Sequence, residues 1–319
     1  MKILKLLPIF GLLVFVFIIS NADLIKISET LGKMNVFYLA LFFPLSFLAV
    51  ILKALKWKFL IKSYGVDYKL KKSMSAWLAG FSMGMITPGR VGDFSRAYYL
   101  KQDKGLSFGK SLTTVIIDRI MDVSALFFFA TVGLLAFATL YISTGFMLIA
   151  IVFMSVIFMS VIFFITKKNT VQKIFKPFFM RFVPGSYKQK IRPGFHDFYS
   201  GLDFIFKNKG LLLVSIFLSI AALLISIIQY FLLSLAIGTD IGFGFFLFVA
   251  PIVMLLDTLP ISFSGVGTRE AALIFFLSFL SLSPEFAVSL SLLIFFLGYI
   301  TLAIPGFVIW ARKSSKSTN

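Results

Sequence analysis

Apolar residues in this chain fall in long unbroken runs, not at alternating or amphipathic positions. No Asp, Glu, Lys or Arg occurs in residues 34–52, 123–166, 210–239, 241–256, 271–284 or 286–311. A run of about 20 apolar residues crosses the hydrocarbon core of a bilayer as one helix. The run at 123–166 is long enough for two helices, with a turn at 141–145. A spanning barrel would need short strands of alternating polarity, and nothing here alternates. The pattern predicts an all-α polytopic membrane bundle of about eight spans, at 3–20, 34–55, 119–141, 145–166, 210–237, 243–260, 268–282 and 285–311. The seventh is short for a full crossing and reads as re-entrant or broken. Another apolar stretch, 73–87, begins and ends among charges and reads as a re-entrant hairpin. Residues 1–319 form a single transmembrane domain.

Composition agrees. The chain is 59% hydrophobic and 14% charged, where soluble domains carry about a quarter charged residues. A soluble helical protein of this size could not hide so much apolar surface. Cysteine is absent, which excludes disulfides, thiol catalysis and Cys-ligated metals. His196 stands alone and makes no metal site. The first 20 residues resemble a signal peptide, with lysines ahead of an apolar stretch. No small-x-small cleavage site precedes the polar segment 21–33, so this stretch is expected to remain as the first span.

The formal charge of +18 could suggest nucleic acid, but its distribution points to membrane orientation instead. Seven basic residues fall in 53–72, six in 90–119, ten in 167–209 and three in 312–316. The intervening loops are nearly bare of them. Lys and Arg are enriched in cytoplasmic loops, which places the heavy loops and both termini inside. The segment 171–208 interleaves Lys173, Lys176, Arg181, Lys188, Lys190 and Arg192 with Phe175, Phe178, Phe179, Phe182 and Phe195. That mixture suits an amphipathic segment on an anionic cytoplasmic leaflet.

Two stretches break the apolar pattern in the same way. One is Met85-Ile-Thr-Pro-Gly-Arg-Val-Gly-Asp-Phe-Ser-Arg-Ala97, the other Leu259-Pro-Ile-Ser-Phe-Ser-Gly-Val-Gly-Thr-Arg-Glu-Ala271. Each has a proline, a glycine pair around valine, an acid, an arginine and then a new apolar helix. Interrupted helices at membrane depth survive only against protein or a watery cavity, and paired interruptions in two halves of a chain point to a transporter's binding site. Gly89, Gly92, Gly265 and Gly267 would let a ligand approach the backbone. Arg90, Arg96 and Arg269 could grip phosphate with their planar forks, helped by the N–H groups of the following helix. Asp93 and Glu270 would hold the arginines or meet a cationic group. The plain alternative for each is a loop salt bridge, which contributes little at an exposed site.

A third group opens a span: Asp118 and Asp122, four apart on one helical face, with Arg119 between them. Asp257 ends the sixth span in a similar way. Charges at the edge of a span are costly and tend to face the bundle interior. The further aspartates of membrane alcohol phosphotransferases, the multi-aspartate motif of prenyltransferases, an Asp-x-Asp pair and a Gly-rich Lys-Ser/Thr loop are all absent from the sequence. No metal and no cofactor is therefore expected.

The order of these motifs resembles a known family. Trp57-Lys-Phe-Leu, then 84–100 around Pro88-Gly-Arg-Val-Gly-Asp93, then Ser111-Leu-Thr-Thr-Val-Ile-Ile-Asp-Arg-Ile-Met-Asp122, then 260–271 are similar to the lysylphosphatidylglycerol synthase transmembrane, or flippase-like, family. The likeness runs nearly the full chain. It implies a multi-span inner-membrane protein that translocates or binds phospholipids or polyprenyl-phosphate-linked lipids. The family's soluble aminoacyltransferase domain has no room before Asn319, so synthase activity is not expected. The favoured expectation is a lipid translocator, not an enzyme, with an anionic or polyprenyl-phosphate lipid as partner and no nucleic acid. The alternative is a membrane transferase acting on a lipid phosphate, with Asp118, Asp122 or Glu270 as base. A scaffold would leave the buried charges without purpose. A homo-oligomer stays open.

Overall fold

The computed structural model describes residues 2–141, 197–198 and 200–315. Among these there is helix and no strand, as the charge-free runs require. Four helices are long and apolar enough to cross a membrane, and a fifth crossing is available if the bent first pair is counted as one. The helices are α1 (Lys2–Asn21), α2 (Leu24–Gly32), α3 (Val36–Lys62), α4 (Leu70–Met85), α5 (Ser95–Lys104), α6 (Phe108–Tyr141), α7 (Lys209–Ala236), α8 (Phe243–Thr258), α9 (Thr268–Ser278), α10 (Pro284–Leu293) and α11 (Thr301–Ser315). A π-helical turn, Ile294–Ile300, joins α10 to α11 into one long span. The exterior is apolar: Phe17, Phe37, Phe47, Phe128 and Phe217 are all more than half exposed. A rind of this kind suits lipid and would drive a soluble protein to associate.

Local chemistry sets the turns. Asp23 accepts from the N–H groups of Ile25 and Lys26 to start α2, which leaves α1 at 89°. Asn35 caps α3 and Ser283 caps α10 through its hydroxyl, satisfying N–H groups that a helix start leaves free.

Contacts between helices fix the polarity of the bundle. At one end the last turns of α3 meet α4 and α6, through Ser73 Oγ donating to the Ala54 carbonyl and Trp57 Nε1 donating to Thr114 Oγ1. Asp103 of α5 lies there too, accepting from the Tyr68 hydroxyl at 2.6 Å and facing Lys72 and Lys313. Burial pushes the Tyr68 phenol well above its usual pKa, so it stays a donor. This is the basic end. At the opposite end the Asn35 N–H donates to the Ala236 carbonyl. Phe137 of α6 meets Phe245 at the start of α8 and Phe276 and Phe279 at the end of α9.

Those contacts change the expected span count. The stretch expected as a sixth span, 243–260, and the one expected as a short, re-entrant or broken seventh, 268–282, form α8 and α9, of 16 and 11 residues. At 1.5 Å per residue these reach roughly 24 and 16 Å, short of a ~30 Å core. Their bases share the end marked by Phe137, and Asp257 in the last turn of α8 meets Arg269 in the first turn of α9. They pack as the two arms of a helical hairpin, each too short for a full crossing. The 73–87 stretch is the rising arm of a second hairpin, α4 and α5, entering from the basic end. The expected spans do not include that return arm. The expected fourth span, 145–166, lies outside the described residues, as do His196 and most of the amphipathic segment at 171–208.

Candidate functional site

The two hairpins enter from opposite ends and meet tip to tip. Ser264 Oγ of the second tip donates to the Met85 carbonyl of the first at 2.9 Å. A side chain at Gly89 would stand 3.3 Å from Pro260 Cβ. Each tip carries a pair of successive left-handed residues ahead of its Val-Gly. In the first, Gly89 and Arg90 are left-handed, with φ 61 and 56, just before Val91-Gly92. In the second, Ser264 and Gly265 are left-handed, with φ 48 and 83, just before Val266-Gly267. Left-handed backbone is unusual and strained for a residue with a side chain, and such strain collects at functional sites.

The close approach expected beside the glycines is made by the protein's own backbone at two of them. The space beside Gly92 is filled by the Met83 carbonyl, and that beside Gly267 by the Gly11 carbonyl of α1. Thr87 Oγ1 stitches the first tip by accepting from the Gly92 N–H at 2.7 Å and donating to the Met83 carbonyl. In the second tip Glu270 turns back to accept from the Gly267 N–H at 2.6 Å and from Ser291 Oγ at 2.5 Å.

Below the first tip lies a network of charges. Asp118 and Asp122 do share one face of α6, and Lys56 of α3 bridges them at 2.9 and 2.5 Å. Arg96 reaches Asp118 at 2.8 Å and stacks over Trp57 at 5.2 Å. Arg119 holds Asp93 at 2.5 Å. Lys53 faces Asp122 at 3.9 Å, and Ser219 Oγ donates to the same carboxylate at 3.1 Å. Five cations, counting Arg90, stand against three carboxylates. Buried ions need this kind of pairing, because desolvation costs several kcal/mol per ion when a partner is missing.

Above them a second, smaller group forms around Arg269, which is wholly buried. Its Nη1 reaches Asp257 at 3.3 Å and its Nε donates to Ser291 Oγ at 2.9 Å. The Tyr299 hydroxyl donates to the same Asp257 oxygen at 3.0 Å. Tyr299 sits in the π-helical turn, a distortion often found at functional sites.

Arg90 differs from the rest. Its guanidinium lies over the rings of Phe81 at 5.7 Å and Tyr299 at 5.2 Å. Its side chain has no ion pair or hydrogen-bond partner among the described residues, and its Nε is buried without one. It projects into a cavity of about 180 Å³ between α3, α4, α6, α7, α8 and the π-helical turn. Lys53, Arg119 and Asp122 share that wall, with Ser219, Gln229 and Tyr299.

Of the residues expected from the sequence, Arg90, Arg119 and Asp122 line this cavity. Asp93, Arg96 and Asp118 stand behind it as partners, while Asp257, Arg269 and Glu270 stand behind Tyr299. Arg96 and Arg269 are wholly buried, so neither is the exposed loop ion pair that the sequence left open. Sequence reasoning missed Lys53, Lys56, Gln229 and Tyr299. The sequence places the two lysines among loop charges, yet α3 continues through both. Their spacing of three, at the edge of an apolar run and matching two aspartates four apart, was the available signal. Tyr299 and Gln229 offered only a polar group inside a charge-free run. Among the described residues no group of His, Cys, Asp and Glu could hold a metal ion.

Comparison with known proteins locates the chain among relatives. The family model for the lysylphosphatidylglycerol synthase TM region matches residues 3–306. A UPF0104 membrane protein of Methanocaldococcus jannaschii is 30% identical over 317 residues, covering 95% of this chain and 93% of that protein. Another UPF0104 membrane protein, from Methanothermobacter thermautotrophicus, is 23% identical over 272 residues, covering 82% of this chain and 80% of its own length.

Proposed function

This chain belongs to the lysylphosphatidylglycerol synthase transmembrane family, and from that premise we propose that it binds the anionic head group of a membrane lipid and passes it across the cell membrane. The observation that carries the reading is the cavity itself. Lys53, Arg90 and Arg119 converge there against one carboxylate, Asp122, and Arg90 is unpaired among the described residues. An uncompensated arginine held in left-handed backbone at membrane depth is costly, and a phosphate oxygen would supply its missing partner. The two opposed hairpins supply a second support. Sites between oppositely directed, interrupted helices suit alternating access, in which one unit rocks against the other around a fixed ligand.

The lipid is an anionic phospholipid or a polyprenyl-phosphate-linked lipid. The basic end faces the cytoplasm by the distribution of Lys and Arg, which puts both termini inside. The competing reading, a transferase with Asp118, Asp122 or Glu270 as base, has less support. Asp118 is engaged by Lys56 and Arg96, Asp122 by Lys56 and Ser219, and Glu270 by Gly267 and Ser291.

Reconstitution tests the proposal. Purified protein in vesicles should speed the movement of a labelled anionic lipid between leaflets, and Arg90→Gln should slow it while the protein stays folded. Lipid recovered chemically changed, with no movement between leaflets, would favour the transferase.

A further inference from the structure

Resting on the anion-site reading above, we propose that this cavity selects lipid head groups built of phosphate and uncharged hydroxyls, and rejects head groups that carry an amine. Phosphate and ammonium would meet different partners there. A phosphate finds Arg90 unpaired among the described residues and Lys53 held only at 3.9 Å from its carboxylate. An ammonium finds one acid on the wall, outnumbered by cations. Asp122 takes Lys56 at 2.5 Å and Ser219 at 3.1 Å on Oδ1, and its Oδ2 faces Lys53 at 3.9 Å. Asp93 and Asp118 are held by Arg119 and by Lys56 with Arg96. Asp257 and Glu270 lie outside the wall, occupied with Arg269, Tyr299, Ser291 and the Gly267 N–H.

Aromatic rings are the other common refuge for an amine, because their faces attract cations. Three of the five rings lining the cavity, all but Phe42 and Tyr230, are taken by the protein's own charges. Trp77 carries Lys53 at 5.8 Å, Phe81 carries Arg90, and Tyr299 carries both Arg90 and Arg269. An incoming ammonium would meet Lys53, Arg90 and Arg119 as like charges, a repulsive element of the kind that sets specificity.

Hydroxyls fare better. Above the cations the wall carries Ser46, Ser226, Gln229 and Thr258. Gln229 Nε2 donates to Ser46 Oγ at 2.6 Å, which leaves its carbonyl oxygen to accept. Ser226 and Thr258 spend their protons on the Ala222 and Leu255 carbonyls, so their oxygens also remain acceptors. Glycerol, inositol and sugar hydroxyls are donors that match them. The lysylated head group named by the family carries two amines and is disfavoured in this cavity.

The test uses the full chain, purified and placed in nanodiscs, with four lipid probes: phosphatidylglycerol, phosphatidylinositol, phosphatidylethanolamine and lysylphosphatidylglycerol. Glycerol phosphate in solution is the arm for a free anion. The hydroxyl-bearing anions should bind at least about ten-fold tighter than the two amine-bearing lipids, a difference of roughly 1.4 kcal/mol. Ser226→Asp, which adds a carboxylate to the wall, should narrow that gap several-fold, and Lys53→Glu should do the same by removing a cation. Thermal melts identify any variant that fails to fold, and either variant suffices. Equal affinity for amine-bearing and hydroxyl-bearing lipids, with Arg90→Gln weakening both, would overturn the selectivity and leave the anion site standing. No response of any lipid to Arg90→Gln would overturn the anion site itself. Glycerol phosphate binding as tightly as phosphatidylglycerol would overturn the assignment to a lipid.

Discussion

Arg90 and Arg269, one from each hairpin tip, lie against the same ring, with their guanidinium carbons 5.2 and 5.1 Å from the centroid of Tyr299. Two cations so close to one residue repel, and Asp257 beside Arg269 offsets part of that repulsion. Tyr299 therefore couples the tips: its face receives both arginines and its hydroxyl holds Asp257. Tyr299→Phe should keep the ring under both arginines and remove only the bond to the carboxylate, lowering stability by about 1.5–3 kcal/mol. Tyr299→Leu removes the ring as well and should cost more, by roughly 0.5–1 kcal/mol for the Arg90 pair and up to about 2 kcal/mol for the buried Arg269 pair. Unfolding of the purified protein in mixed detergent reads the order; equal effects of the two variants would deny the ring its role.

Arg90→Gly separates strain from function. Glycine accepts φ 56 without penalty, which should return about 1 kcal/mol. Removing the guanidinium from the faces of Phe81 and Tyr299 should cost about 0.5–1 kcal/mol for each ring. Stability should thus change by no more than about 1 kcal/mol, whereas binding of an anionic lipid should fall about ten-fold or more. A variant that binds as the parent does would mean that this arginine serves the hairpin tip alone.

Arg96→Lys and Arg269→Lys should act on the fold. Each arginine bonds two partners from two different nitrogens of its planar fork, a spacing one ammonium nitrogen does not have: Arg96 to Asp118 and the Asp93 carbonyl, Arg269 to Asp257 and Ser291. Removing a charged hydrogen bond costs about 1.5–3 kcal/mol, and Arg269→Ala, which strands Asp257, about 3–5 kcal/mol. The folded fraction of each lysine variant should bind lipid within about two-fold of the parent, roughly 0.5 kcal/mol or less. Strong loss of binding at full stability would instead make these arginines direct head-group clamps.

Gly92→Ala and Gly267→Ala should fail to give folded protein, because the new methyl would meet the Met83 and Gly11 carbonyls. Gly105→Ala has open space around it and only the left-handed backbone against it, with φ 68. It should cost about 1–2 kcal/mol and still fold. Expression and size-exclusion profiles of the three variants compare the cases directly.

Sidedness is open to labelling, since the chain has no native cysteine. Cysteine at Lys104, on the basic end, should react only after the membrane is made permeable. Cysteine at Asp240, between α7 and α8, should react from outside. The reverse pattern would invert the topology.

Solvent, element type and the polarity of the bundle are all legible in the order of the residues. Charge-free runs can be satisfied in lipid only by helices whose backbones bond internally, and the asymmetry of Lys and Arg is visible residue by residue. Both hairpin tips are legible too, because Pro88, Gly89, Gly92, Pro260, Gly265 and Gly267 are residues that cannot sit quietly inside an apolar helix. The packed fold was needed to show that α8 and α9 form a hairpin and not two crossings, since length alone does not say to which end a helix returns. It was needed again to show which charges pair. Lys56 lies 62 residues from Asp118 in sequence and touches it in space, and Tyr299 stands 209 residues from Arg90 and 30 from Arg269. Local pattern carries no information on such distances, because the partner of a buried ion is chosen by whichever helix face packs against it. That choice pairs Asp93, Asp118 and Asp257 with Arg119, Arg96 and Arg269 and leaves Arg90 over in the cavity.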